Sequence, residues 1–313
     1  MQATGTTNRL MDDRERGARI DQICSDLGVN VRRKQKMAHF TSLRVGGEID
    51  AIAYPENRSQ AAQLVHALNQ AGIPWSPLGY GTNLLVKDGQ IRRVAVSLRA
   101  LDDLLVYDGT RVHVHAGYSL PRLVNGCADR GLAGIQGLAP IPGSVGGAVK
   151  MNAGSHGYEI ADVIEIVDVA REGEVLRLKR DEIDFRYRYS PFTHQDLILG
   201  TILQLKPGNP ADMKEEIKRY KQHRSATQPV RESSAGCIFK NPGSGLTTGR
   251  IIDELGMKGV FQGGATISTL HANFIVTDGK ATAADIFALI DLIRDRVTTE
   301  HGLDLELEVE VWD

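Results

Sequence analysis

The 313-residue chain is short of several things, and each shortage removes a class of explanation. It has three cysteines, at positions 24, 127 and 237. An odd number spread so widely builds no disulfide framework and has no zinc-ligand spacing, so a reduced compartment and no metal site are expected. Net charge is nearly absent: 37 Lys and Arg against 39 Asp and Glu leave a formal −2, and no global field recruits nucleic acid or anionic lipid. No apolar run approaches the roughly 20 residues of a membrane helix. The opening "MQATGTTNRLMDDRERGARI" lacks the apolar stretch of a secretory signal. These absences predict a cytoplasmic protein with neither membrane nor nucleic-acid partners. Aromatics make up only 5%, and neither repeats nor low-complexity segments occur.

What the chain does have is glycine, 33 residues, in clusters. Clustered glycine in a non-repetitive chain suggests loops whose backbone comes close to a ligand. Around them the texture is α+β. Residues 1–37 read as an N-terminal extension with one helix near "ARIDQICSDLG" and a basic run "RRKQK", a loosely held arm as readily as a binding element. Residues 38–100 alternate strands with a helix in "SQAAQLVHALNQAG", whose apolar stripe at 61, 62, 64, 65 and 68 ends at Gly72. Residues 101–208 hold the strand "RVHVHAG", a helix led by Ser119 and Pro121 and stopped by Gly131, a hairpin in "VIEIVDVAREGEVLRLKR" and the strand "LILGTILQLKP". Between them runs "GLAPIPGSVGGAVKMNAGSHG", read as about twenty residues of functional loop. A third unit, 209–313, opens with a charged helix. It ends in "LDLELEVEVW", where Leu305, Leu307, Val309 and Val311 alternate with four acids.

Two glycine loops invite comparison with phosphate cradles. "GYGTNL" at 79–84 has Leu84 where a dinucleotide fingerprint needs its third glycine, and "GSVGGAVK" lacks the Gly-Lys-Ser/Thr of a P-loop. Each alone is an ordinary tight turn. Together, about sixty residues apart in one α/β unit, they can present several backbone N–H groups to a pyrophosphate, which suits a dinucleotide-like ligand.

Seven segments in one order, "TSLRVGG", "PLGYGTNLLV", "GLAPIPGSVGGAVKMNAG", "FRYRYSPF", "SSAGCIFKNP", "HANFIV" and "LELEVEVW", resemble the UDP-N-acetylenolpyruvoylglucosamine reductases of peptidoglycan synthesis across about residues 38–311. The compact spacing resembles the shorter subtype, which lacks a substrate-covering insertion. The resemblance implies a two-subdomain FAD-binding unit of the vanillyl-alcohol-oxidase type (PCMH-type) followed by a C-terminal α+β substrate-binding domain. It implies that NADPH reduces FAD as co-substrate, and that the flavin then reduces the enolpyruvyl ether of a UDP-sugar. No flavin-linking His stands in either glycine loop, so FAD is expected to be held non-covalently. It is expected to contact Gly79, Tyr80, Gly81, Thr82, Asn83 and Leu84, then Pro142, Gly143, Ser144, Gly146 and Gly147, with Asn152, Ala153 and Gly154 lining the second loop.

Three catalytic positions carry over. Arg188 matches the family's arginine, a guanidinium able to grip a carboxylate with two bonds while staying charged. Glu308 matches the C-terminal glutamate. Cys237 stands where the family has a proton-donating Ser, and a thiol is the stronger acid but the weaker hydrogen-bonder. From the residues alone, Arg188 also reads as surface in an Arg/Tyr alternation, Glu308 as one of four solvated acids, and Cys237 as a buried small residue. Tyr187, Arg224, Lys240 and Asn241 are candidate substrate contacts. Thr227 stands where the family often has Lys, so Arg224 or Lys240 is left to face the diphosphate. Asn273 reads equally as structural or binding. Two other readings stay open: an FAD-dependent oxidase of the same fold, and a non-catalytic flavin- or UDP-sugar-binding homologue.

Overall fold

The computed structural model describes residues 11–101, 105–243 and 245–313. Two sheets and a C-terminal layer organise the chain. The first sheet has four strands in the order 30–36, 48–54, 90–97, 75–78. Its first pair is antiparallel and the other two pairs are parallel. Two helices flank it, α1 (Asp13–Asp26) and α2 (Arg58–Gln70). The apolar stripe of α2 is fully inside. Gly72, just past its end, has φ +64°, the left-handed conformation that closes a helix without a Cβ clash.

Residues 11–36 are not a loose arm. Ile20, Ile23 and Cys24 of α1 lie in the main core, and the basic run forms the outer strand 30–36, paired along 48–54. Charged residues suit a sheet edge, where they discourage pairing with another chain. The Arg16 guanidinium, buried with Asp50 at 2.7 Å, ties α1 to the sheet.

The second sheet has five antiparallel strands in the order 174–179, 164–171, 197–204, 111–115, 105–108. Strand 197–204 reads LILGTILQ and is central. It is buried at every position but the last, as a strand covered on both faces must be. Helix α3 (Leu120–Asp129) starts at Ser119 with Pro121 in its first turn. The long glycine-rich stretch is not structureless: it contains a 3-10 turn at Gln136–Leu138 and helix α4 (Val145–Lys150), capped when Ser144 Oγ accepts from the Gly147 N–H. Helix α5 (Pro210–Thr227) follows the expected boundary at 208, yet its Met213 and Ile217 bury into the same core as α3.

In the C-terminal unit, α6 (Thr248–Glu254) and α7 (Ala283–His301) pack with a three-stranded sheet of 261–262, 265–267 and 275–277. The final alternating run is not one strand. Leu307 bridges Phe239, whereas Glu310–Trp312 crosses back and pairs parallel with Leu84–Val86 of the first unit. Trp312 is buried there with Met37, Ile49 and Val86. The last residues thereby bring the C-terminal unit against the first glycine loop. No helix of the described residues is long and apolar enough to cross a membrane.

Candidate active site

The two glycine loops lie side by side on the wall of a cleft of about 1340 Å³. Their glycines are demanded first by protein. An added Cβ on Gly79 would stand 2.8 Å from Ser144 Oγ, and one on Gly81 (φ +66°) would stand 1.9 Å from the Phe40 carbonyl oxygen. One on Gly146 would stand 2.7 Å from the Ala116 Cβ. Thr82 Oγ1 donates to the Pro142 carbonyl at 3.0 Å, joining the loops. Among the described residues, the N–H groups of 79–83, 143 and 144 have no protein acceptor. A row of such amides on a glycine-lined wall is a cradle for an anionic pyrophosphate, so these residues fit FAD. Every expected cofactor contact lines the cleft except Asn152, which is 1% exposed and turned away.

Opposite the loops, the C-terminal unit presents Cys237 and Glu308, and the second unit presents Arg188. Arg186 and Tyr189 exchange backbone hydrogen bonds around a tight turn with Tyr187 and Arg188 at its centre. Arg188 has φ +51°, a conformation that turns usually give to glycine or asparagine and that costs a branched-out side chain on the order of 1 kcal/mol. Two contacts hold its side chain. The Arg188 Nη2 donates to the Gly154 carbonyl at 2.8 Å, and Nε donates to Glu308 Oε1 at 3.2 Å. Arg186, by contrast, points to solvent and pairs with Asp184.

Glu308 separates from its acidic neighbours by burial. Its side chain keeps 19% exposure against 73% for Glu306. Burial pushes its carboxyl above the usual range by more than Arg188 draws it down. Its backbone N–H donates to the Ile238 carbonyl at 2.8 Å, one residue from Cys237. This rung, beside the Phe239–Leu307 bridge, fixes the register between thiol and carboxyl. Asn273 supports the same turn: its side chain both accepts from the Phe239 N–H and donates to the Phe239 carbonyl, at 3.0 and 2.8 Å. With its amide used this way, Asn273 is a brace. Cys237 keeps some exposure on the cleft wall. Burial of its sulfur, reinforced by the Glu308 charge, nonetheless pushes the thiol up to about 12, although Arg188 and Arg224 pull the other way.

The structure sorts the expected substrate contacts. Arg224 and Lys240 line the cleft; Tyr187 and Asn241 do not, and join each other at 3.3 Å outside it. Lys240 pairs with the exposed Glu306 at 2.5 Å. Arg224 donates to the Pro140 carbonyl, and its Nε is buried with no partner among the described residues. Thr227 Oγ1 turns back to its own helix, onto the His223 carbonyl. Sequence reasoning missed Lys150, at the end of α4, whose amine enters the cleft and donates to the Phe192 carbonyl. Burial holds that amine below the usual lysine range. Its position one helical turn after Gly146 is a signal that spacing offered. It also missed His156, stacked on Tyr220 with 4.1 Å between rings at the cleft edge. No group of three or more His, Cys, Asp or Glu among the described residues could hold a metal.

Comparison with known proteins gives the family. Residues 49–179 match the FAD binding domain family, and residues 228–312 match the UDP-N-acetylenolpyruvoylglucosamine reductase, C-terminal domain, family. The UDP-N-acetylenolpyruvoylglucosamine reductase of Geobacter metallireducens is 40% identical over 287 residues, covering 92% of this chain and 95% of that protein. The Geobacillus kaustophilus protein of the same name is 35% identical, covering 94% and 96%. The crystal structure of UDP-N-acetylenolpyruvylglucosamine reductase from Thermus caldophilus superposes with a TM-score of 0.79 at 35% identity, over 91% of this chain and all of that one.

Proposed function

Since this chain belongs to the UDP-N-acetylenolpyruvoylglucosamine reductase family, we propose that it reduces UDP-N-acetylglucosamine enolpyruvate to UDP-N-acetylmuramate with NADPH, and that Cys237 delivers the proton. The observation that carries this reading is the meeting of Arg188, Glu308 and Cys237 on one cleft wall, opposite the glycine loops. The amides of 79–83 and 143–144 would hold FAD non-covalently, and the flavin would supply hydride transfer between NADPH and the terminal vinyl carbon of the substrate.

The residues account for what remains. Adding hydride to that carbon leaves negative charge on the ether-bearing carbon, delocalised into the adjoining carboxylate. A charge that develops there is best met by a donor already in place. Arg188 supplies it, with its guanidinium fixed by the Gly154 carbonyl and Glu308 before substrate enters. The Cys237 S–H then gives its proton to the ether-bearing carbon, forming the lactyl ether, and the thiolate recovers a proton from solvent. Burial keeps this thiol protonated in the resting protein, so the donor is loaded at neutral pH. Arg224, with one buried N–H unpartnered, and Lys240 face the diphosphate. The enolpyruvyl and NADPH groups occupy the same cleft in turn, and no second dinucleotide fingerprint is required.

The test is anaerobic. The purified protein is examined for flavin absorbance, bleached with NADPH, and supplied with the enolpyruvyl substrate. Return of the flavin colour with substrate supports the reductase. Return only on admitting oxygen indicates an oxidase, and failure to bleach indicates a binding protein; either of these overturns the reading.

A further inference from the structure

We propose that Asn152 is a positioning residue for Arg188, setting both the turn that carries this arginine and the carbonyl that grips it; the proposal rests on Arg188 acting in the reduction. Asn152 is 1% exposed, and its φ of +42° is one that asparagine tolerates better than most side chains. Its carboxamide makes three hydrogen bonds. Nδ2 donates to the Arg186 carbonyl at 3.0 Å and to Glu159 Oε2 at 2.9 Å, and Oδ1 accepts from the Ala161 N–H at 3.3 Å. Both donors and the acceptor are in use, and the side chain does not line the cleft.

The two bonds that Nδ2 donates lead to Arg188. The Arg186 carbonyl belongs to the turn that holds Arg188 at φ +51°. Glu159 pairs with Gly154 in the two-stranded hairpin 154–159, and the Gly154 carbonyl is the acceptor for Arg188 Nη2 at 2.8 Å. One buried amide thus references the backbone of the arginine and the anchor of its guanidinium to the same point, across 34 residues of sequence. A strained backbone persists only when its surroundings over-determine it. Removing the amide frees both references, and a guanidinium displaced by about 1 Å loses much of its effect on a developing charge. Space is tight as well: a Cβ on Gly154 would stand 2.9 Å from Glu159 Cγ and 3.3 Å from Arg188 Nη1, so the carbonyl that accepts from the guanidinium needs glycine.

The test uses the FAD-loaded protein with Asn152→Ala, and Asn152→Gly as a second variant that keeps the left-handed backbone should the first not fold. Reduction of the flavin by NADPH and its reoxidation by enolpyruvyl substrate are timed separately, and both variants are repeated in an Arg188→Ala background. FAD retention, flavin spectrum and NADPH reduction are expected within about twofold of wild type, while reoxidation slows about tenfold or more. In the Arg188→Ala background, changing Asn152 is expected to add nothing. The proposal is overturned if reoxidation is unaffected, if FAD is lost, or if the loss is the same with and without Arg188. A wild-type reoxidation rate in Arg188→Ala alone would instead overturn the role of Arg188 on which it rests.

Discussion

Replacing Cys237 tests the proton donor most directly. Burial and the Glu308 charge push the thiol up to about 12, so at neutral pH the sulfur carries its proton. The donor is therefore full across the physiological range, and placement limits the step, not protonation. A positioned general acid contributes about 10² to 10⁴ in rate. Cys237→Ala should slow reoxidation of reduced flavin by substrate by that factor, with reduction by NADPH unchanged and reduced flavin accumulating during turnover. Cys237→Ser keeps a proton at the same turn and should remain within about tenfold of wild type. Stopped-flow absorbance under anaerobic conditions, in water and in deuterium oxide, reads both half-reactions. The wild-type reoxidation rate should be flat from about pH 7 to about pH 10, because the acid does not titrate there. Reoxidation of Cys237→Ala at the wild-type rate would refute the reasoning. So would a wild-type break near pH 9.0 that Cys237→Ser lacks, which would show an unshifted thiol.

Arg188→Lys keeps charge but loses the forked donor, so substrate-driven reoxidation should fall about 10²-fold while NADPH-driven bleaching persists; equal losses in both half-reactions would contradict this. Gly81→Ala puts a Cβ 1.9 Å from a rigid carbonyl at φ +66°, and the purified protein should show low flavin absorbance or fail to fold, whereas full FAD occupancy would show that the loop can move. Asp168 joins Arg58 of α2 to Arg177 of the second sheet, at 2.5 and 3.0 Å. Burial alone would raise its carboxyl, but hydrogen bonds from Arg177 and Arg58 outweigh it and hold the group low. A depressed carboxyl adds stability above its unfolded value of 3.8, and that contribution disappears as pH falls through the folded value. Asp168→Asn should cost about 2 kcal/mol at pH 7, discounted because both arginines are partly exposed. The gap in denaturant midpoints should close in acid; a constant gap would refute the account.

Much of the fold was legible because local rules and the global packing agree. The stripe on α2, Pro121 in the first turn of α3, the hairpin about Gly173 and the apolar run 197–204 each bury the faces their periodicity indicates. Where sequence reasoning failed, a tertiary partner intervened. The charged segment 30–36 looks like a solvated arm until strand 48–54 gives its backbone a ladder. The glycine-rich 145–150 becomes α4 because Ser144 caps it, Val145, Ala148 and Val149 are buried, and Gly146 fits where a side chain would strike Ala116. Asn152 sits in a loop that lines the cleft, yet faces the other way, which no spacing rule encodes.

The chain's order of residues determined the chemistry available: two glycine-rich loops, a guanidinium, a carboxyl and a thiol in place of a hydroxyl. It could not determine which of two arginines and four acids are drawn from water. Folding made that choice. A parallel pairing of Glu310–Trp312 with 84–86 and a bridge at Phe239 set the register that buries Glu308 beside Arg188 and leaves Glu306 and Arg186 in solvent. Contacts across 120 residues arise from how sheets close, and local periodicity carries no record of that closure.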